Sequence, residues 1–381
     1  MVPNLRFPSF SHDWKIYTFD DIASYKKGPF GSALKKDLFV PKSKESVKVY
    51  EQQNAINKDC HLERYFISAN YYEKMKSFTV YPGDTIVSCA GTIGELYTLP
   101  ENADIGIINQ ALMIIRNNQA IILKDFLNIQ FSRMIDEFSK TYSNGSAIKN
   151  IPPFSDLKRK KTYVPDKLEQ EKIIKFISLL DQKITTQIKI INDYKILKNH
   201  IIKSFIKQNG TSYLLSEIAE LGRGRVINSA EISKQKNPIY PVYSSQTSNN
   251  GIMGYLDNYD YEGEYITWTT DGANAGTVYY RNGKFNCTNV CGILKIKNGY
   301  DAYYISNILN CYTKKYVSTN LANPKLMNNV MANIKINLPS IEQQKHSSKI
   351  LQSIEYRVEI EEDIKLNLVK QKAFLLKNMF I

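Results

Sequence analysis

The order of apolar and polar positions divides the chain into two kinds of segment, and each kind occurs twice. Up to about residue 165, and again from about 211 to 338, short β-branched and aromatic runs are cut by Gly, Asn and Pro. Phe78-Thr79-Val80-Tyr81 stops at Pro82-Gly83-Asp84, and Tyr265-Ile266-Thr267-Trp268-Thr269 stops at Asp271-Gly272. Runs bounded in this way predict strands of a largely β domain. From about Lys167 to Gln208, and from Ile341 to Ile381, neither Gly nor Pro occurs. At 1.5 Å per residue each of these stretches predicts a helix of roughly 60 Å.

The first helical stretch carries a heptad seam. Ile177, Ile184, Ile191, Lys198 and Phe205 share one position, and Ile173, Leu180, Gln187, Tyr194 and Ile201 share the other. Leu351, Ile354, Val358, Leu368, Leu375 and Met379 hold the same frame in the second. Gln187 matches Glu361 and Lys198 matches Lys372, so both seams are interrupted by polar residues at corresponding places. Such interruptions cost stability and fix register, which points to two helices paired with each other rather than each packed only on its own domain.

Repetition extends to the whole chain. Asp21-Ile22-Ala23 returns as Glu217-Ile218-Ala219, and Gly83-Asp84-Thr85-Ile86 as Gly263-Glu264-Tyr265-Ile266. Gly91-Thr92-Ile93-Gly94 matches Gly272-Ala273-Asn274-Ala275-Gly276 with one insertion, and Asn109 matches Asn289. Pro165 matches Pro339, Glu169-Gln170 matches Glu342-Gln343, and Ile201-Ile202-Lys203 matches Leu375-Leu376-Lys377. Counted from the Glu-Gln pairs, His346 stands where the first copy has Ile173, and the later seam needs one extra residue. The expected architecture is α+β, with a pseudo-two-fold internal repeat. It comprises a first recognition domain (1–165), a long helix (166–210), a second recognition domain (211–338) and a second long helix (339–381). With the helices paired as an antiparallel coiled coil, two readers of different sequence would lie at opposite ends of a spacer. That geometry suits two unlike half-sites on DNA.

Composition adds to this picture in three places. Lys and Arg exceed Asp and Glu by 50 to 37, a net +13 that favours a polyanionic partner such as DNA. The surplus is spread along the chain, as a Lys-rich codon usage would also spread it. Five cysteines (Cys60, Cys89, Cys287, Cys291, Cys311) form no disulfide framework, and Cys287 with Cys291 lacks the second pair of a zinc site. Free thiols in a reducing compartment are expected. The first residues, Met1-Val2-Pro3-Asn4-Leu5-Arg6-Phe7, hold no apolar signal core, and no run is long enough for a membrane span. A cytoplasmic protein is the expectation.

The opening Pro3-Asn4-Leu5-Arg6-Phe7-Pro8-Ser9-Phe10 with Trp14 resembles the start of type I restriction-modification specificity subunits. Val164-Pro165 to Gln170 and Leu338-Pro339 to Gln343 are similar to that family's boundary between recognition domain and helix. The helix endings around Lys203-Ser204-Phe205 and Lys377-Asn378-Met379-Phe380 are similar too. The resemblance implies a non-catalytic subunit that reads a bipartite double-stranded DNA target for adenine methylation or cleavage. It implies two methylase subunits and restriction-translocase subunits as partners. It places S-adenosylmethionine, ATP and magnesium on those partners and none on this chain. Two other readings differ in kind: a helical scaffold with two protein-binding β domains, and a stand-alone DNA methyltransferase.

Motifs for chemistry of its own are weak. Asn150-Ile151-Pro152-Pro153-Phe154 resembles the Asn-Pro-Pro-Tyr/Phe loop of adenine methylases, but Ile151 interrupts it and no Gly-rich cofactor loop accompanies it. Pro165-Asp166 starts a helix rather than a nuclease site. There is no phosphate-binding Gly-x-x-x-x-Gly-Lys-Ser/Thr loop. His12, His61, His200 and His346 have no ligand or triad spacing.

Phosphates are met by Lys, Arg and backbone N–H groups, and base edges by Arg, Lys, Asn, Gln, Ser or Thr. In the first reader the candidates are Lys26, Lys27 and Ser32 of the Lys26–Ser32 glycine loop, Lys35, Lys36, and the run Lys158, Arg159, Lys160 and Lys161. In the second they are Arg223, Arg225, Ser245, Gln246, Thr269, Thr270, Asn274, Asn323 and Lys325, with Asn320 beside them. A solvated turn or a solvated charged face is the plain alternative for each group.

Overall fold

The computed structural model describes residues 1–142, 154–318 and 323–381, in two compact units: Met1–Ile184 with Asn367–Ile381, and Thr185–Leu366. Asn150 to Pro153 and Asn320, singled out in the sequence, lie outside the described residues. The first unit contains strands β1 (Lys15–Thr18), β2 (Ala23–Lys27), β3 (Phe39–Val40), β4 (Ser46–Tyr50) and β5 (Tyr65–Ser68). These are followed by β6 (Thr79–Val80), β7 (Thr85–Ser88), β8 (Leu96–Thr98), β9 (Gly106–Ile108) and β10 (Leu112–Asn117). Helix α1 (Lys124–Tyr142), strand β11 (Lys161–Val164) and helix α2 (Lys167–Ile206) complete it, α2 crossing into the second unit after Ile184.

Two sheets and a ribbon result. β2-β10-β7-β8 is an antiparallel four-stranded sheet, β3-β5-β4-β9-β6 is a five-stranded sheet, and β1 pairs with β11. Strand β2 shows the period-2 alternation of a half-buried strand up to Lys26: Ala23 and Tyr25 are buried and Ser24 and Lys26 exposed, while Lys27, at the strand's end, is exposed too. β7 is buried along its whole length, covered by Phe126, Phe131 and Met134 of α1 on one side and by Leu99 and Leu112 on the other.

The second unit holds β12 (Thr211–Leu214), β13 (Ala219–Arg223), β14 (Tyr240–Tyr243), β15 (Ile252–Leu256), β16 (Tyr261–Thr269), β17 (Val278–Cys287) and β18 (Cys291–Ile296). Helix α3 (Ala302–Tyr312), β19 (Lys335–Leu338) and helix α4 (Ile341–Asn378) follow, α4 leaving this unit after Leu366. One six-stranded sheet runs β13-β18-β16-β17-β14-β15, and β12 pairs with β19. Its core gathers Trp268, Leu294, Tyr304, Ile305 and Leu326.

The repeat is therefore structural. β2-β10-β7-β8 and β13-β18-β16-β17 have the same order and pairing, and the ribbons β1–β11 and β12–β19 correspond. Strand register also corrects two matches made on sequence. The matched Ala23 and Ala219 pair with Asn117 and Ile296, so Ile115, opposite Thr85, is the counterpart of Leu294, opposite Ile266. Thr85 therefore corresponds to Ile266 and not to Tyr265. Asn109 N–H donates to Tyr50 O (3.0 Å) as Thr288 N–H donates to Tyr243 O (2.9 Å), so Asn109 corresponds to Thr288 and not to Asn289. A slip of one residue exchanges the faces of a strand, and cross-strand pairing, not local identity, fixes it.

The two long helices are paired. In the second unit Gln187 donates to the main-chain oxygen of Glu361 (3.1 Å) and also to its carboxylate. Lys198 pairs with Glu355 and Lys195 with Glu362, so later residues of α2 meet earlier residues of α4, in antiparallel fashion. In the first unit Ile173, Ile177 and Leu180 are buried with Leu375, Met379 and Phe380, and Lys372 reaches Asp181 at 2.5 Å. The matched polar seam positions Gln187 and Glu361 thus meet each other.

The extra residue in the second seam disappears. Gln170 donates to Pro165 O and Gln344 to Pro339 O, each at 2.9 Å, so Gln344, not Gln343, is the counterpart of Gln170. Ser347, buried, then stands at the place of Ile173, and His346 is exposed. The opening motif also acquires a physical role. Arg6 forms a two-pronged ion pair with the buried Glu169 (2.7 Å each), Trp14 Nε1 donates to the same carboxylate (3.2 Å), and Phe7 packs edge-on against Phe176. The N-terminal segment is clamped onto the start of α2.

Candidate nucleic-acid interface

Three loops leave the first unit's four-stranded sheet at one end. Lys27 pairs with Met113 and Ser88 with Leu112, so the end of β2, the end of β7 and the start of β10 lie side by side. The opposite end of β10 leads into α1. In the second unit Arg223 pairs with Gly292 and Thr269 with Cys291, giving the same arrangement.

Glycines pin the first loop of each set. Gly28 N–H donates to Leu112 O (2.9 Å), and Gly224 N–H to Cys291 O (3.3 Å). A Cβ on Gly28 would lie 1.8 Å from Asn109 O, and one on Gly224 2.1 Å from Cys287 O. Only glycine allows so close an approach of two backbones. Gly28 and Gly224 are equivalent, and so are the cations before them, Lys27 and Arg223. The sequence points to both loops without relating them; strand pairing makes them one feature.

In the first unit Lys26 lies over the Phe78 ring (4.7 Å), and Lys27, Ser32, Lys35 and Lys36 are exposed around the loop. The run Lys158–Lys161 lies elsewhere. Lys161 pairs with Thr18 on the ribbon and Phe19 N–H donates to Lys160 O (3.0 Å), so the run is tied to the residues that lead into β2, whereas Lys27 closes that strand. Lys158 pairs with Asp20 (2.7 Å) and Lys160 with Glu137 (2.5 Å), while Arg159 and Lys161 are exposed. The structure does not bring this run to the loop end.

In the second unit Arg225 is tied to two carboxylates, Glu231 (2.7 and 3.1 Å) and Asp260 (3.0 Å). Hydrogen bonding to Glu231, then to Asp260, holds the guanidinium above its usual pKa, and Arg225 in turn holds Glu231 below the usual carboxylate range. Arg223 is exposed, with Nε donating to Asn328 Oδ1 at 3.2 Å. Beside this loop opens a cleft of about 410 Å³ bordered by Ser245, Gln246, Asp271, Asn274 and Asn289. Asn274 is exposed and donates to Thr247 Oγ1 (3.0 Å), Lys325 pairs with Asp271 (3.4 Å), and Asn323 is exposed.

Thr269 and Thr270 need correction as candidate contacts. Both are fully buried. Thr269 Oγ1 donates to Asn274 O and accepts from Thr277 N–H, and Thr270 Oγ1 bonds Asp271 and Val290 O, so these hydroxyls shape the turn from within. Thr288 and Asn289 are not among the residues the sequence singles out for DNA, yet they form the cleft wall. The signal for them is their place in the repeat.

Cys287 and Cys291 are buried; interaction with the neighbouring Cys291 thiol, with burial, raises the Cys287 thiol well above its usual pKa. Among the described residues no group of three or more His, Cys, Asp or Glu side chains could hold a metal ion, and no helix is long and apolar enough to cross a membrane.

The sequence profile described as "Type I restriction modification DNA specificity domain" matches residues 11–193 and again 209–371. A Mycoplasma pneumoniae protein named as the N-terminus of a type I specificity subunit is 43% identical over 142 residues, 37% of this chain and 75% of that one. The MpnII type I restriction enzyme specificity subunit of the same organism is 42% identical over 146 residues, 38% of this chain and 43% of that one. The crystal structure of the type I restriction-modification S subunit from M. genitalium superposes over 100% of this chain and 99% of that chain, with a TM-score of 0.58 at 18% identity. A structure described in terms of complex assembly and conformational transition of the type I system covers 99% of each chain at a TM-score of 0.62 and 12% identity. These two likenesses concern the fold.

Proposed function

From the chain's membership of the type I restriction-modification DNA specificity family, we propose that each β domain reads one half of a split double-stranded DNA target with the loop-bearing end of its shared sheet. The observation that carries this reading is the recurrence of a basic, glycine-pinned loop at one structural position in both copies, at Gly28 and at Gly224. Cations next to a backbone without side-chain bulk suit phosphates and groove edges. Lys26, Lys27, Ser32, Lys35 and Lys36 serve the first half-site. Arg223, Ser245, Gln246, Asn274, Asn289, Asn323 and Lys325 serve the second.

The chain is a recognition subunit, and the chemistry belongs to others. Two methylase subunits and the restriction-translocase subunits dock on it and carry S-adenosylmethionine, ATP and magnesium, and the assembly works in the cytoplasm. Exposed apolar side chains on the long helices support docking: Leu168 and Phe374 in the first unit, Tyr356 and Ile196 in the second.

The reading is tested by exchanging residues 1–150 for those of a relative and sequencing the methylome of a host that expresses the chain with its partners. One half-site should change and the other should stay. A change in both halves, or in neither, would overturn it.

A further inference from the structure

We propose that Phe30 and Val226 are the apolar base-contacting tips of the two readers, with the Phe30 ring acting as a wedge that stacks on bases of the first half-site. The inference rests on the DNA-reading function above and adds the residues and the contact. Single exposed apolar residues are ordinary on protein surfaces, so exposure alone decides nothing. Position and surroundings decide it. Phe30 is 87% exposed and Val226 69% exposed, and each stands two residues after the pinned glycine. Sheet pairing makes them counterparts, although neither the loop lengths nor the neighbouring sequences agree.

The first tip is also held rigid. Pro29 before it is buried, Ala33 N–H donates back to Phe30 O (2.9 Å), Tyr71 Oη donates to Ala33 O (2.7 Å), and Leu34 is buried. The phenyl ring is therefore presented by a braced turn, and little ordering remains to be done when it meets a ligand. Four exposed lysines, Lys26, Lys27, Lys35 and Lys36, flank it along the chain against one acid, Asp37. A flat apolar group on a lysine-rich loop matches a duplex, whose charge lies on the backbone and whose stack is apolar. Aromatic and aliphatic side chains that enter base steps do so in this setting, with cations on the flanking phosphates. An apolar protein surface would gain nothing from four lysines. Val226 has no ring to stack and suits van der Waals contact, such as with a thymine methyl. The wedge thus belongs to the first half-site alone.

The test uses the full chain and a pool of random-sequence duplexes. Wild type, Phe30→Ala, Phe30→Trp and Val226→Ala are each used to enrich binding sequences. A duplex with the wild-type site then carries 2-aminopurine in place of an adenine of the first half. Wild type and Phe30→Trp should raise the 2-aminopurine fluorescence on binding. Phe30→Ala should lose that rise, bind at least about fivefold more weakly and relax the first half-site only. Val226→Ala should relax only the second. Equal affinity and equal preference for wild type and Phe30→Ala would overturn the wedge while leaving the DNA reading intact, as would wild-type binding without a fluorescence change. A wild-type chain that enriches no sequence would overturn both.

Discussion

Gln170 and Gln344, one near the start of each long helix, make the same pair of hydrogen bonds. Gln170 Nε2 donates to Pro165 O (2.9 Å) while its Oε1 accepts from Leu123 N–H (2.8 Å), just before α1. Gln344 Nε2 donates to Pro339 O (2.9 Å) while its Oε1 accepts from Asp301 N–H (3.0 Å), just before α3. Both side chains are buried. Each glutamine therefore joins three parts of its unit: the long helix, the proline turn that enters it, and the helix that backs the sheet. Replacing either with Ala leaves a buried carbonyl and a part-buried amide without their partner, at a cost of about 1–3 kcal/mol. Hydrogen exchange should locate the damage. Gln170→Ala should speed exchange at Leu123 and leave Asp301 slow, and Gln344→Ala should do the reverse. Equal acceleration at both amides would contradict the independence of the two anchors.

The clamp between Arg6 and Glu169 predicts a different signature. The Glu169 side chain is 1% exposed and that of Arg6 12%. Removing one partner of a buried pair costs more than removing both, because the survivor keeps its desolvation without its attraction. Glu169→Ala should lower stability by about 3 kcal/mol. Arg6→Met combined with Glu169→Leu should recover most of that in chemical denaturation. A double variant as weak as the single one would show that geometry beyond the charge pair is what matters.

Glycine substitutions separate pinned positions from free ones. Ala at position 28 would drive a Cβ into the Asn109 carbonyl, which is backbone and cannot swing away, so the loop must move. Ala at position 31 meets nothing nearer than 4.0 Å. Gly28→Ala should abolish recognition of the first half-site while the second is still read, with a stability loss of about 1–3 kcal/mol. Gly31→Ala should read both halves as the parent does. Methylome sequencing of the two variants side by side decides it.

Much of this was legible in the sequence, and the illegible parts share a cause. Heptad spacing and the absence of Gly and Pro mark α2 and α4, and the meeting of Gln187 with Glu361 follows from their matched seam places. The repeat could be read in order but not in register. Glu342-Gln343 looks like Glu169-Gln170, yet the buried glutamine is the next one along, Gln344. Glu and Gln are interchangeable to the eye, and only the hydrogen bonds tell them apart. Thr269 and Thr270 have the chemistry of base readers, and burial removes them. Burial of a hydroxyl depends on partners distant in the chain, here Val290 and Asn274. The five-stranded sheet of the first unit has no full counterpart in the second, so no internal comparison could announce it.

Arg225 and Lys27 stand on equivalent loops and should behave in opposite ways. Lys27 is exposed, whereas the Arg225 guanidinium already shares its hydrogen bonds between Glu231 and Asp260. A cation neutralised by two carboxylates has little charge to lend a phosphate, and breaking the pairs to reach DNA would cost what the contact gains. Arg225 thus serves to brace the loop that presents Val226. Its side chain is 41% exposed, so the brace itself is worth only about 0.5–1 kcal/mol. Binding to the selected duplex should be measured across a salt series for Lys27→Ala and Arg225→Ala. Each phosphate contact contributes about 0.9 to the slope of log affinity against log salt. Lys27→Ala should therefore flatten the slope by about one and weaken binding to every sequence alike. Arg225→Ala should leave the slope unchanged and blur the second half-site by loosening its loop. If Arg225→Ala flattens the slope as Lys27→Ala does, the guanidinium leaves its carboxylates on binding. The loop would then close onto DNA by exchanging Glu231 and Asp260 for a phosphate.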